Sequence, residues 1–263
     1  MGVVWQLLRG LPAYLWSGWG AAASLLLFVA LWELGAGYYG PLILPDPLST
    51  FATLKSLVAS GAAWPELLTT ARRALLGLLL AVAVGSSAGM LAGLSMTAAM
   101  VSRPWVTLLL GMPPIAWLVL AMLWFGMGDG TPVFTVFVAC LPIVFIGALQ
   151  GTRTLDLHLK DMARAYHLPW RMRVFDLYLP HVAAYLFPAW ITALGSSWKV
   201  AVMAELLATS DGVGAALAVA RSHLDMGASL AWIGLVVASL LLLEYGLMEP
   251  IKRELERWRE AGA

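Results

Sequence analysis

Long apolar segments alternate with short polar ones along this chain. About 20 largely apolar helical residues cross the hydrocarbon core of a bilayer, and six segments come close to that length. They are Gly18–Ala36, Ala74–Met96, Trp105–Phe125, Thr131–Leu149, Val182–Leu206 and Ala228–Leu247. Because an unpaired backbone is too costly in lipid, we expect each segment to be a helix. The pattern predicts an all-α integral membrane protein with about six transmembrane helices.

The polar segment at 38–73, which we expect on the outer side, contains four prolines. Proline interrupts a helix, so we expect two short helices at the membrane surface here. The first begins at Pro47, after which Phe51, Leu54 and Leu57 recur at helical spacing. Such an apolar face is typical of a helix that lies in the membrane interface.

Composition agrees with a membrane protein organised as one transmembrane domain over residues 1–263. The chain is 61% hydrophobic and 12% charged, with a mean hydropathy of +0.83, whereas soluble domains carry roughly 25% charged residues. Two further loops are expected at about 152–180 and 207–227. A net charge of +1 gives no reason to expect nucleic acid, and membrane lipid is the first partner predicted.

The positions of Lys and Arg predict the orientation. If the N-terminus faces the cytoplasm, eleven of the sixteen basic residues lie in inner segments and Lys199 lies inside the fifth span. Four lie in outer segments: Lys55, Arg72, Arg73 and Arg221. Cytoplasmic loops carry the excess of positive charge in membrane proteins. We therefore expect both termini, and the loop before the fifth span, in the cytoplasm.

Two features of the apolar segments predict how they pack. Gly85, Gly89 and Gly93 recur at intervals of four, which places them near one helical face and allows another helix to approach closely. In the third span, Pro113 and Pro114 remove two backbone donors and break or kink the helix. In lipid such a break requires protein or a water-filled cavity over the freed carbonyl groups.

Three motifs carry a family resemblance. The loop before the fifth span reads Asp161-Met162-Ala163, three residues, His167, nine residues, then Leu177-Tyr178-Leu179-Pro180. The third span contains Pro113-Pro114-Ile115-Ala116-Trp117 and then Trp124-Phe125-Gly126-Met127-Gly128, and Leu44-Pro45-Asp46-Pro47 precedes the first surface helix. The chain resembles the permeases of binding-protein-dependent ABC importers, in particular the nitrate/sulfonate/taurine group. The resemblance implies a type I ABC importer (MetI-like) permease fold.

The resemblance also implies a mechanical role for the loop. In the family this loop holds a short helix that docks on the ATP-hydrolysing subunit and transmits its closure to the spans. Here we expect the helix at 157–166, and Pro169 then forces a turn. The residues assigned to this coupling are Asp161, Met162, Ala163, Arg164, His167, Leu179 and Pro180. A solvated helical loop without a partner is the alternative.

The loop departs from the family pattern at three positions. Asp161, Met162 and His167 stand where the family has Glu, Ala and Gly. Gly permits a left-handed backbone, and His visits that region more readily than most residues. Because His is bulkier than Gly, we expect unusual geometry at His167.

The partners implied by the resemblance are a second copy in a homodimer, two ATP-binding subunits and an extracytoplasmic solute-binding protein, in the inner membrane of a bacterial cell. The chain has no Gly-x-x-x-x-Gly-Lys-Ser/Thr loop, the motif that cradles phosphates. We therefore expect ATP and Mg²⁺ on the partner ATPase, and neither a catalytic residue nor a cofactor or metal site on this chain. The four histidines show no tight metal-ligand spacing.

The translocation path is assigned to residues of the third and fifth spans: Pro113, Pro114, Trp117, Trp198, Lys199 and Glu205. A charge at mid-membrane is costly, so Lys199 either contacts an anionic substrate or pairs with Glu205, Glu244 or Glu33. Lys199 and Glu205 are six residues apart, about 240° around a helix, which favours a partner on another helix or on the second copy. The predicted cargo is a small anion such as a sulfonate, taurine or nitrate, with a vitamin precursor as the alternative.

Two other classes of protein compete with a permease. An ion-coupled secondary transporter often shows inverted repeats with interrupted helices in both halves, and the sequence contains one strong Pro-Pro break and no convincing repeat. A membrane-embedded enzyme needs a convergent set of catalytic groups, and no spacing in the sequence indicates one.

Overall fold

The computed structural model describes residue 20 and residues 23–248, except for the side chains of residues 157, 159, 160, 164, 247 and 248. The described part is built from helices, which confirms the predicted fold class. They are α1 Ala23–Tyr39, α2 Pro47–Ala59, α3 Ala63–Gly93, α4 Met96–Gly111, α5 Pro114–Phe125, α6 Gly130–Arg153, α7 Leu157–Ala165, α8 Trp170–Ala208, α9 Val213–Ser222 and α10 Met226–Gly246. The start of the first predicted span, Gly18–Ala36, lies outside the described residues.

Four of these helices are long and apolar enough to cross a membrane: α3, α6, α8 and α10. A fifth span results if α4 and α5 are counted as one bent span. The described part of α1 is also apolar, over 17 residues from Ala23 to Tyr39. The fourth and sixth predicted spans, Thr131–Leu149 and Ala228–Leu247, agree with α6 and α10 to within four residues.

Glycines set the closest approach in the bundle, between α3 and α6. A Cβ atom added at Gly89 would lie 2.7 Å from the Ala148 Cβ, and one at Gly93 would lie 2.5 Å from the Thr152 Cβ. Gly85 faces Val144 in the same way. The predicted role of this glycine face in helix packing is confirmed.

The other side of α6 packs against α8, and small residues again allow it. A Cβ at Gly147 would lie 2.5 Å from the Ala189 Cβ, and Gly151 faces Tyr185. The Cys140 thiol is buried between the two helices and donates to the Ala193 carbonyl at 3.4 Å. Helix α6 is thus the centre of a three-helix layer whose neighbours are α3 and α8.

The third predicted span, Trp105–Phe125, corresponds to the bent pair of α4 and α5, and its predicted start is too late. Helix α4 already begins at Met96, and α5 leaves it at an angle of 92° after a short break. Met112 and Pro113 have extended backbones there, because a helix cannot continue through two residues that lack an N–H group. The predicted break at the two prolines is confirmed.

The second predicted span, Ala74–Met96, begins too late. Helix α3 starts at Ala63, so Arg72 and Arg73 belong to the helix rather than to the segment at 38–73. The prediction stopped at the two arginines because charge lowers local hydropathy, whereas the fold supplies carboxylates that neutralise them. The same extension leaves room for α2 alone, not two short helices, before α3.

Helix α2 forms where the sequence predicts it. Pro47 occupies its first turn, where a missing N–H costs nothing, and the Asp46 carboxylate accepts a hydrogen bond from the Ser49 amide at 2.7 Å. The helix packs against α10. The preceding loop is fastened to α1 by the Trp32 indole, which donates to the Pro45 carbonyl at 2.9 Å.

Candidate functional site

The loop between α6 and α8 contains α7, which confirms the predicted helix at 157–166. Asp161 and Met162 are exposed on α7, whereas Ala163 is buried. The backbone of Arg164 lies in the same helix, and its side chain is outside the described part. Two of the residues assigned to coupling therefore lie on the exposed side of α7, and a third anchors the helix.

His167 ends this helix in a left-handed conformation, with φ +47°. The Leu168 amide reaches back to the Ala163 carbonyl at 3.0 Å, and the Tyr166 amide to the Met162 carbonyl at 3.0 Å. This is the hydrogen-bond pattern of a helix C-terminus closed by a left-handed residue, a position where Gly is usual. The expectation of unusual geometry at His167 is confirmed, because His here occupies a backbone conformation that favours Gly.

Leu179 and Pro180 do not end the loop, because α8 runs without a break from Trp170 to Ala208. The helix is wound more loosely at Arg173–Tyr178, where the Leu179 amide bonds the carbonyl five residues back. Pro180 has no amide to offer to the preceding turn, which accounts for the wider winding just before it. Leu179 and Pro180 thus lie on the exposed surface of one continuous helix that joins the loop to the membrane.

Large apolar side chains are exposed around α7 and the start of α8. Tyr166 is 76% exposed and Trp170 is 66% exposed, and Phe175 and Met162 are exposed beside them. Apolar surface of this kind on a polar loop indicates a contact with another protein. The sequence analysis passed over these aromatic residues because it followed only the motif positions.

The break between α4 and α5 places Pro113 on the surface and leaves Pro114 and Trp117 partly buried. Helix α5 is held against the end of α8 by Leu118, which is buried with Ala204. The Trp117 indole N–H is buried without a partner in the described part of the chain.

Lys199 is exposed in the last third of α8. Thr192 and Ser196 lie on the same face, within about 60° of Lys199 around the helix. Their hydroxyl groups donate to backbone carbonyls one turn earlier, and their oxygen lone pairs remain available. Among the described residues Lys199 makes no ion pair, and the exposed Glu33 and Glu244 make none with it. The proposed intrachain partners of Lys199 are therefore not used in this structure.

Trp198 and Glu205 lie on other faces of α8. Trp198 is buried in the main core together with Leu78 and Val136, and its indole N–H has no partner in the described region. Glu205 is buried completely. In this structure neither side chain opens onto the face that carries Lys199.

The partner of Glu205 is Arg73 of α3, which is almost completely buried. Its Nη1 donates to the Glu205 carboxylate at 3.0 Å and to the Asp211 carbonyl at 2.8 Å. Its Nε donates to the Asp129 carboxylate at 2.7 Å, and its Nη2 donates to the Asp211 carboxylate at 2.6 Å. We call Arg73, Asp129, Glu205 and Asp211 the arginine cluster. It joins α3, the loop before α6, the end of α8 and the loop before α9.

The cluster continues into the first turn of α9, whose backbone amides are otherwise without partners. Gly212 N–H donates to the Glu66 carboxylate, Val213 N–H donates to the Thr70 hydroxyl at 3.0 Å, and Gly214 N–H donates to Glu205 at 3.2 Å. A Cβ at Gly214 would lie 2.7 Å from the Glu205 Cβ. Glycine is needed because the loop lies directly on the buried carboxylate.

Among the cluster members outside the membrane-spanning segments, Asp129 has a carboxyl that Arg73 holds in its ionised form. A hydrogen bond from Arg73 lowers the pKa of the Asp129 carboxyl below its ordinary value, and the charges of Arg73 and Arg72 act in the same direction. Arg72 pairs with Asp129 from the exposed side.

Sequence reasoning missed the arginine cluster, although a signal for it was present. Glu66, Thr70 and Arg73 are spaced four and three residues apart, which places them on one face of a helix. The arginine was assigned to a loop, and Glu205 was assigned to the translocation path and considered as a partner for Lys199. These inward-facing polar side chains of α3 account for both the buried Arg73 and the buried Glu205.

Comparisons with known proteins give relatives of one kind. A family model described as "Binding-protein-dependent transport system inner membrane component" matches residues 81–254. The putative aliphatic sulfonates transport permease protein SsuC of Bacillus subtilis is 28% identical over 237 residues, which is 89% of this chain and 86% of that protein. The taurine transport system permease protein TauC of Escherichia coli is 27% identical, with 83% and 81% covered. The nitrate import permease protein NrtB of Synechococcus elongatus is 24% identical, with 72% and 71% covered.

Two solved structures share the fold at 15% sequence identity. An amino acid ABC transporter with histidines aligns with a TM-score of 0.62 and covers 76% of this chain and 97% of that one. The MetNI methionine ABC transporter in inward-facing conformations aligns with a TM-score of 0.59, with 71% and 93% covered.

Proposed function

The chain belongs to the family of binding-protein-dependent transport system inner membrane components, and from this membership we propose that it is the permease subunit of an ATP-driven importer. The observation that carries the proposal is the family match over residues 81–254, a range that includes α7 and all of α8. The protein itself performs no covalent chemistry in this proposal. ATP binding favours one packing of its helices, and hydrolysis releases it.

In the proposed orientation the α7 end of the bundle faces the cytoplasm. The excess of Lys and Arg in the segments on that side supports it. The arginine cluster, together with α2 and α9, then lies at the outer end. There it forms the landing surface for an extracytoplasmic solute-binding protein.

An ATP-binding subunit docks on α7 in this proposal. The exposed Tyr166 and Trp170 supply apolar area for the contact, and the continuous α8 carries its motion into the membrane. The coupling residues are those of the loop motif and its junction with α8: Asp161, Met162, Ala163, Arg164, His167, Leu179 and Pro180. ATP and Mg²⁺ belong to that subunit.

Two copies of the chain form the translocation path between them, with the Lys199 face of α8 turned toward it. Thr192 and Ser196 add acceptors and donors along the same face, and Pro113, Pro114 and Trp117 border it from the α4–α5 break. A charged side chain in a span usually faces a bundle interior or a water-filled path, and Lys199 has no ion pair within the described chain. The proposed cargo is a small anion, of the class that includes sulfonates, taurine and nitrate.

Purification of the complex in lipid nanodiscs tests the proposed function. An ATP-hydrolysing subunit should copurify with the chain, and its activity should rise when a solute-binding protein loaded with a small anion is added. A folded, homogeneous protein that retains no ATPase partner would contradict the proposal.

The cargo proposal is tested by replacing Lys199. Lys199→Met should abolish anion-dependent transport while the complex still assembles, and Lys199→Arg should retain part of it. Arg103→Met is the matched control, because Arg103 is an exposed cation of α4 that the proposal places neither in the path nor on the landing surface. Equal transport by Lys199→Met and the control would rule out a role for the ammonium group in cargo binding.

A further inference from the structure

We propose that Arg73 is a positioning residue: it sets the outer end of α8, and with it Lys199, according to the position of the loop before α9. The inference rests on the proposed function, since it gives the outer surface a means to act on the path. Its physical basis is that one guanidinium joins α3 to two other parts of the chain that are far away in sequence, the loop before α6 and the end of α8 with the loop that follows it.

The cluster runs from the interior to the surface. The Glu205 side chain is 0% exposed and the Arg73 side chain 2% exposed, whereas Asp129 is 51% exposed and Asp211 is 57% exposed. A protein that lands on the outer surface can therefore displace Asp211 or Asp129. Because Arg73 bonds those carboxylates and Glu205 together, the displacement reaches the interior of the bundle.

Glu205 lies on the same helix as Lys199, six residues later. A shift of Glu205 along or around α8 is therefore a shift of Lys199, since the helix between them is regular. The other two acceptors of the α9 amides, Glu66 and Thr70, are on α3. If α8 moves relative to α3 while α9 keeps its bonds to Glu66 and Thr70, two bonds to Glu205 break, one from the Gly214 amide and one from the Thr70 hydroxyl.

The cluster contains three carboxylates for one buried guanidinium, so Arg73 can lose one acidic partner and keep the others. Arg73 has three acidic partners, so it stays paired with Asp129 and Asp211 when Glu205 moves away. A buried charge with a single partner would resist such motion, because breaking the pair costs several kcal/mol. Arg73 therefore stays paired in either position of α8, and the cost of the second position falls on Glu205, whose cationic partner in this structure is Arg73.

The test follows hydrogen exchange of the backbone amides of residues 209–216 in the complex with its ATPase, with and without Mg²⁺ and a non-hydrolysable ATP analogue. In the wild type, nucleotide should speed exchange at Gly214 by about tenfold. In Asp211→Asn the response at Gly214 should fall to less than about twofold, and Asp211→Glu should restore it. Asp225→Asn is the matched control, an exposed carboxylate at the start of α10 that should leave the response unchanged.

Exchange at α7 separates the two proposals. If nucleotide alters neither α7 nor residues 209–216 in the wild type, coupling to an ATPase fails and the proposed function fails with it. If α7 responds and Gly214 does not, Arg73 has no positioning role. An equal response in wild type and Asp211→Asn, with both complexes intact by size-exclusion chromatography, also overturns the inference.

Discussion

Replacing Arg73 by Met should destabilise the protein more than any other single change in the arginine cluster. The substitution leaves Glu205 fully buried without a cation, with only the Thr70 hydroxyl and the Gly214 amide as donors. Removing one partner of a buried ion pair typically costs about 3–5 kcal/mol. We expect Arg73→Met to lower the free energy of unfolding by about that amount.

Glu205→Gln should lower the free energy of unfolding less than Arg73→Met does, because Arg73 has three acidic partners whereas Glu205 is paired with Arg73. Arg73 retains Asp129 and Asp211 in this variant, so what is lost is a single charge-assisted hydrogen bond, worth about 1.5–3 kcal/mol. When Arg73→Met and Glu205→Gln are combined, the two buried charges disappear together. The double variant should therefore be more stable than the sum of the single effects predicts, by at least about 1 kcal/mol.

Unfolding of the purified protein in mixed micelles, followed by tryptophan fluorescence during a titration with SDS, measures these free energies. Lys55→Met controls for the loss of an exposed charge and should lie within about 0.5 kcal/mol of wild type. If Arg73→Met is no less stable than this control, or if the two single effects simply add, the described ion pair does not hold the fold together.

Three further predictions concern separate parts of the molecule. His167→Gly should raise the free energy of unfolding of the α7 loop by about 0.5–1 kcal/mol, because Gly adopts the left-handed backbone at this position without strain. Amide exchange in α7 should slow as a result, and unchanged exchange would contradict the prediction. Gly89→Val should destabilise the bundle by about 1–3 kcal/mol, because the new side chain overpacks against Ala148. Gly37→Ala is the control and should not destabilise the bundle, because a Cβ at Gly37 meets open space. Thermal unfolding in detergent measures both variants. Because the Asp129 pKa is depressed in the folded protein, its stabilisation is present above the ordinary value of 3.8 and is lost as the pH falls below it. In a series of melting temperatures measured at different pH, Asp129→Asn should reduce the loss of stability at low pH. If the variant loses as much stability at low pH as the wild type, the Asp129 carboxylate is not the cause of that loss.

The helices themselves were predictable because their signals are local. Apolar length located α6 and α10, the Pro113-Pro114 pair located the break, and the spacing of Gly85, Gly89 and Gly93 identified a packing face. Each of these features acts through the backbone or the nearest helix. The left-handed conformation at His167 followed from the motif, since the family pattern places Gly there.

The arginine cluster was not predictable in the same way, because Arg73 is more than fifty residues from each of its acidic partners and meets them only in the folded bundle. Because arginine lowers the local hydropathy, the predicted span ended at Arg73. In the fold three carboxylates pair with this arginine, so it can lie inside a long helix. The exposed Lys199 shows the opposite case. Its isolation could be established only after every nearby carboxylate of the described chain had been located.

The glycine contacts between α3 and α6 restrict where a solute can cross the bundle. Where backbones meet this closely, as at Gly89 and Gly93, no side chain of the glycine holds the two helices apart. Helix α8 meets the other side of α6 in the same way, through Gly147. In this conformation a path for a solute therefore lies beside these three helices and not between them.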